Sequence, residues 1–154
     1  MTVKRNILSI CLGAVVVLSS AFQSGDTPCD AKALKDKSRK TLEPFKYDMA
    51  KLTRIMYKDK PSLKEIEIPL FIGEKYKMVI NTEALPRPVE VNIYNRDKDS
   101  KKRKLLFSSK GAPEAQREFT FEISFAMKAF VDYNIPAGDS AAASGCVVLM
   151  LGYK

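Results

Sequence analysis

The residues best placed for chemistry in this sequence are a run of cations. Lys101, Lys102, Arg103 and Lys104 are consecutive, with Arg96 and Lys98 just upstream. Clustered ammonium and guanidinium groups can hold lipopolysaccharide, another anionic glycan or phosphate through charge-assisted hydrogen bonds. Asp97, Asp99 and Ser100 interrupt the run, which equally suits a solvated turn. A second basic region holds Lys32, Lys35, Lys37, Arg39, Lys40 and Lys46 and suits an anionic membrane surface, although its apolar face is weak. Few aromatic residues interleave with these lysines, so base stacking is not served and nucleic acid is not an expected partner.

Carboxylates come next. Glu65 and Glu67 stand two apart, on one face of a strand. Paired carboxylates hydrolyse glycosides when they flank the bond, but neighbours on a wet strand face serve solubility. Asp97, Asp99, Asp132 and Asp139 form the acidic set to weigh for calcium, yet Asp97-Lys98-Asp99 lacks the spacing and glycine of a calcium loop. The chain has no histidine, which removes Ser-His-Asp and Cys-His nucleophile systems. Its three cysteines make no CxxC pair, so no usual zinc site is expected. No spacing points to a Ser-Lys dyad, and without tryptophan Tyr94 alone is a thin sugar platform. No metal and no cofactor are expected, and the chain reads as a non-enzyme.

These side chains must be held by elements, and the elements begin after a leader. Lys4 and Arg5 precede an apolar stretch from Ile7 to Leu18, followed by the small residues Ser19 and Ala21. That is the layout of a signal peptide over 1–21, and the apolar stretch is too short for a bilayer span. No transmembrane span is expected after cleavage. The formal charge of +8 then falls to +6, because Lys4 and Arg5 leave. Cys11 leaves too, and Cys29 and Cys146 remain as a candidate disulfide in an oxidising compartment.

Residues 22–49 read as a basic tether or a short helix. Asp30 can cap a helix whose stripe is Ala31, Leu34, Ser38 and Leu42, and Pro44 ends it. From 50 to 154 the period is two, the mark of strands. Thr53, Ile55 and Tyr57 alternate, then Ile66, Ile68 and Leu70 after the Asp59–Ser62 turn, a pair that reads as a hairpin with one wet face. Pro69 belongs at a strand end or an edge. Further strands are read around Met78, Val91, Leu105–Ser109, Phe121 and Val131. The continuous apolar run CVVLML suits a strand buried on both faces. Eight short strands without alternating helices predict an all-β fold, an antiparallel β-sandwich with a short N-terminal helix or tether.

Leu70, Gly73 and Tyr76 have the spacing of a tyrosine corner, in which the phenol bonds the backbone a few residues upstream. That spacing is similar to fibronectin type III domains over about seven residues only, and the strands that follow do not match that family's order. A wider set, Cys29, KEIEIPLFIGEKYKMVINTEALP, RKLLFSSK, FVDYNIPAG and SGCVVLMLGYK, resembles small secreted or periplasmic β-sandwich proteins of Bacteroidota-type bacteria. The resemblance implies an exported location, periplasmic or extracellular, and adds no activity.

Together these readings predict an exported accessory or structural subunit that binds another envelope or exported protein, with edge strands as docking surfaces. The alternative is a polyanion-binding module for lipopolysaccharide, an anionic glycan or a membrane surface, centred on Arg96, Lys98 and Lys101 to Lys104.

Overall fold

The computed structural model describes residues 29–124, 127–138 and 143–154. The expected signal peptide, Cys11 and Asp139 lie outside the described residues. The chain runs through α1 (Ala31–Leu42), β1 (Lys46–Met56), β2 (Ser62–Pro69), β3 (Lys75–Asn81), β4 (Glu90–Tyr94), β5 (Leu105–Ser108), β6 (Glu118–Ser124), β7 (Lys128–Ile135) and β8 (Ser144–Tyr153). Two four-stranded sheets, ordered β1-β8-β3-β6 and β2-β7-β4-β5, face each other as an antiparallel sandwich. The core between them holds Ile55, Ile66, Ile68, Met78, Ile80, Val91, Ile93, Val131, Tyr133, Val147, Leu149 and Leu151.

The helix forms for the reasons legible in its sequence. Asp30 Oδ1 accepts the Ala33 N–H at 3.0 Å, and Leu34, Ser38 and Leu42 are buried. The stripe lies on the outer face of the first sheet against Val79, Val148 and Met150. Glu118 on β6 anchors it, accepting from Ser38 Oγ at 3.0 Å and from Thr41 Oγ1 at 2.6 Å. A Cys29–Cys146 disulfide with a Cα–Cα distance of 5.7 Å ties its start to β8. Gly152 lets the other end come close, since a Cβ there would stand 2.8 Å from Lys46 O and 2.9 Å from Leu42 Cγ. Strand β8 is therefore buried on both faces, Val147, Leu149 and Leu151 towards the sandwich core and Cys146, Val148 and Met150 under the helix.

Two expectations about the strands need correction. β1 and β2 are not a hairpin: β1 pairs with β8 and β2 with β7, in different sheets. Alternation reports which face a residue presents and not which strand lies beside it. The first strand also starts at Lys46, before the period becomes visible at about residue 50, because a bulge between Tyr47 and Met49 shifts the phase. Pro69 is the last residue of β2, an edge strand, where its missing N–H removes no ladder bond.

Candidate functional site

The sandwich is open on the side where β5 and β6 are the outer strands of their sheets. The reason is a mismatch in length. β7 begins at Lys128, but its first β4 partner is the Phe130–Tyr94 pair, so the second sheet is only two strands wide at that end. Opposite it, β6 continues to Ser124, and its inward Phe121 and Ile123 have no strand above them to close the core. A cleft of about 610 Å³ results, lined by Leu106, Phe121, Ile123, Met127 and Phe130 with Arg96, Asp97 and Lys128. Met127 is 65% exposed. Its carbonyl accepts the Leu70 N–H at 2.9 Å, which brings the β2–β3 turn alongside with Phe71 at 74% exposure and Ile72 at 69%. Large apolar side chains left this open mark an interaction surface more often than a solvated one.

The rim of this cleft is an unused strand edge. Arg117 O accepts the Thr82 N–H at 2.7 Å, so the backbone of residue 117 points towards β3. Alternation then turns 119, 121 and 123 the same way and leaves 118, 120, 122 and 124 pointing out of the sheet. Gln116 Nε2 donates to Glu118 O at 3.4 Å, as that phase requires. Among the described residues no hydrogen bond covers the outward backbone of Thr120, Glu122 or Ser124.

The basic tip between β4 and β5 is not a free finger. Arg103 turns inward onto the outer face of the second sheet. Its Nη1 and Nη2 donate to Asp132 Oδ2 and Oδ1, both at 2.7 Å, and Nη2 also donates to Glu65 Oε2 at 2.7 Å. Its Nε donates to Arg96 O at 2.9 Å, and its Cζ stands 3.6 Å from the centre of the Tyr94 ring. The Asp132 side chain is only 4% exposed. The bidentate bond to Asp132 raises the Arg103 pKa, whereas burial pushes the Glu65 carboxyl up, with nearby Asp132 acting in the same direction against Arg103. Arg103 therefore does not belong with the cations expected to bind a polyanion. Glu65 is not on a wet face either, because the tip covers it.

The other expected residues are placed as follows. Arg96, Lys101, Lys102 and Lys104 are exposed, and Lys98 pairs with Asp99 at 2.8 Å. Glu67 pairs with Lys128 at 2.7 Å. Of the acidic set weighed for calcium, Asp132 is held by Arg103 and Asp99 by Lys98, and no metal-binding group occurs among the described residues. Tyr76 is buried, its hydroxyl accepts the Phe71 N–H at 3.2 Å, Leu70 is buried beside it, and Gly73 has φ +102°, a conformation that suits glycine. Apart from Arg96 and Asp97, which the sequence offers for other chemistry, the cleft residues do not stand out in the sequence. Their only signal was FTFEIS, where inward apolar residues look the same in a covered strand and an uncovered one.

No family profile matches the chain, and no curated protein matches it. Among solved structures it is similar to the crystal structure of PliG from Aeromonas hydrophila, a periplasmic lysozyme inhibitor of g-type lysozyme. The TM-score is 0.44 and the identity 8%, over 68% of this chain and 86% of that one.

Proposed function

We propose that the chain is an exported, non-enzymatic accessory or structural subunit that binds another protein of the cell envelope. The observation that carries this reading is the open seam, where an apolar cleft adjoins the unused edge of β6. A partner segment in extended form would add to that edge through backbone bonds and seat alternate apolar side chains in the cleft. Export is supported by the leader layout of residues 1–21 and by the Cys29–Cys146 disulfide. A second reading keeps the tip as a polyanion site, supported by the exposure of Arg96, Lys101, Lys102 and Lys104.

The test is affinity capture of the tagged protein from its own envelope fraction, at low and high salt. A stoichiometric protein partner should survive high salt. Thr120→Pro, which removes an outward edge N–H, and Leu106→Lys, which charges the cleft, should each abolish capture while Lys101→Ser/Lys102→Ser leaves it intact. Capture that persists in both seam variants overturns the reading. Recovery of only anionic lipid or glycan, lost at high salt and in Lys101→Ser/Lys102→Ser, establishes the tip instead.

A further inference from the structure

A second surface lies on the opposite side of the first sheet and is independent of the seam. Helix α1 sits on that sheet with Leu34, Ser38 and Leu42 inward. One flank of the helix is engaged with β6 and the segment after β3: Lys37 pairs with Glu83, and Thr41 donates to Glu118. At 100° per residue, the cations Lys32, Lys35 and Arg39 fall within an arc of about 60° on the other flank. That flank faces β1, as the Arg39 guanidinium 5.2 Å from the Tyr47 ring shows. Outward-facing residues of β1 run alongside: Tyr47, Leu52 and Met56 are about half exposed, and Arg54 is exposed between the last two. Lys64 adds an ammonium there by donating to Arg54 O at 2.9 Å. Among the described residues, none of Lys32, Lys35, Arg39 and Arg54 forms an ion pair.

We propose that this α1–β1 face docks on an anionic phospholipid surface. The charge is complementary, since cations outside any ion pair share the helix flank and the neighbouring strand and meet headgroup phosphates without displacing an internal partner. The apolar side chains decide between a membrane and a soluble polyanion. Leu52 and Met56 stand among the cations, where a glycan offers an aliphatic side chain little and a headgroup layer takes both kinds of group. The helix itself needs no insertion, because its apolar stripe is already used against the sheet. The membrane-facing element expected of the basic N-terminal region is thus a composite of helix flank and strand, and the exposed cations of the β4–β5 tip are not part of it.

The experiment is sedimentation of the protein, purified from its own cells, with vesicles of phosphatidylcholine alone or with phosphatidylglycerol at 7:3. Binding to the anionic vesicles should be stronger and should fall with salt. Lys32→Ser/Lys35→Ser/Arg39→Ser should weaken it by about a hundredfold at low salt, from about one kcal/mol per charge. Lys101→Ser/Lys102→Ser/Lys104→Ser should cost at most about threefold, the residue of long-range attraction. Leu52→Ser/Met56→Ser should weaken vesicle binding while leaving retention by soluble dextran sulfate unchanged. All these side chains are exposed or at the surface, so unchanged melting verifies that the variants fold. Equal loss from the helix and tip triples overturns the assignment of the face. Vesicle binding that Leu52→Ser/Met56→Ser leaves unchanged and dextran sulfate fully displaces overturns the membrane as its partner and makes the ligand a soluble polyanion.

Discussion

Arg103 has the same sequence surroundings as Lys101 and Lys102, and a different physical fate. Its planar guanidinium matches the Asp132 carboxylate with two bonds and stacks on Tyr94, which an ammonium could not do. Arg103→Ala would leave Asp132 nearly buried and unpaired, so it should lower stability by about 3 kcal/mol. Lys101→Ala should stay within about 0.5 kcal/mol of the parent. Denaturant unfolding of the two variants checks the contrast. The Tyr76 hydroxyl is the other single group with a definite task, since it accepts the Phe71 N–H where the chain passes between the sheets. Tyr76→Phe should cost about 1 kcal/mol, read as a melting temperature lower by about 4 °C.

Among the elements, α1 shows local and long-range determinants acting together. Its cap, stripe and stop are local and were readable from Asp30, Leu34, Ser38, Leu42 and Pro44. What holds it on the sheet is not local: Glu118 stands 80 residues from Ser38, and Cys146 stands 117 residues from Cys29. A cross-link over that separation disfavours the unfolded chain by about 4–5 kcal/mol in the chain-entropy account. Cys29→Ala should therefore lower global stability by about 4 kcal/mol. Amides of α1 should lose hydrogen-exchange protection before those of β8, because the helix loses a tether and the strand keeps both neighbours. Equal loss of protection in both would show that the helix needs no tether. β1 and β2 illustrate the opposite limit. Their alternation located both strands, but the Asp59–Ser62 turn gave no sign that it links two sheets instead of closing a hairpin.

At the scale of the molecule, the sandwich has unlike sides. On one side β1 and β2 are the outer strands, and Lys64 covers a β1 carbonyl, the kind of protection that keeps an edge from pairing. On the other side Gln116 covers only the first outward carbonyl of β6, at Glu118, and among the described residues Thr120, Glu122 and Ser124 beside the apolar cleft have no such guard. The two proposed docking surfaces use different groups, the α1–β1 flank for lipid and the backbone of Thr120, Glu122 and Ser124 with the cleft for protein, so neither contact consumes the residues of the other. Among the described residues no helix is long and apolar enough to cross a membrane.

Local and periodic features were legible along the chain. These are the capped helix, which residues of each strand face inward, the doubly buried last strand, the corner at Tyr76, and the absence of histidine chemistry. Each is set by neighbours a few residues away or by simple composition. Which strands pair, that β4 and β5 end short of β6 and leave a cleft, and that Arg103 lies inside while its neighbours stay in solvent emerge only in three dimensions. Those outcomes rest on contacts between residues tens of positions apart. A one-dimensional pattern with a period of two carries the face of each residue but not the identity of its partner.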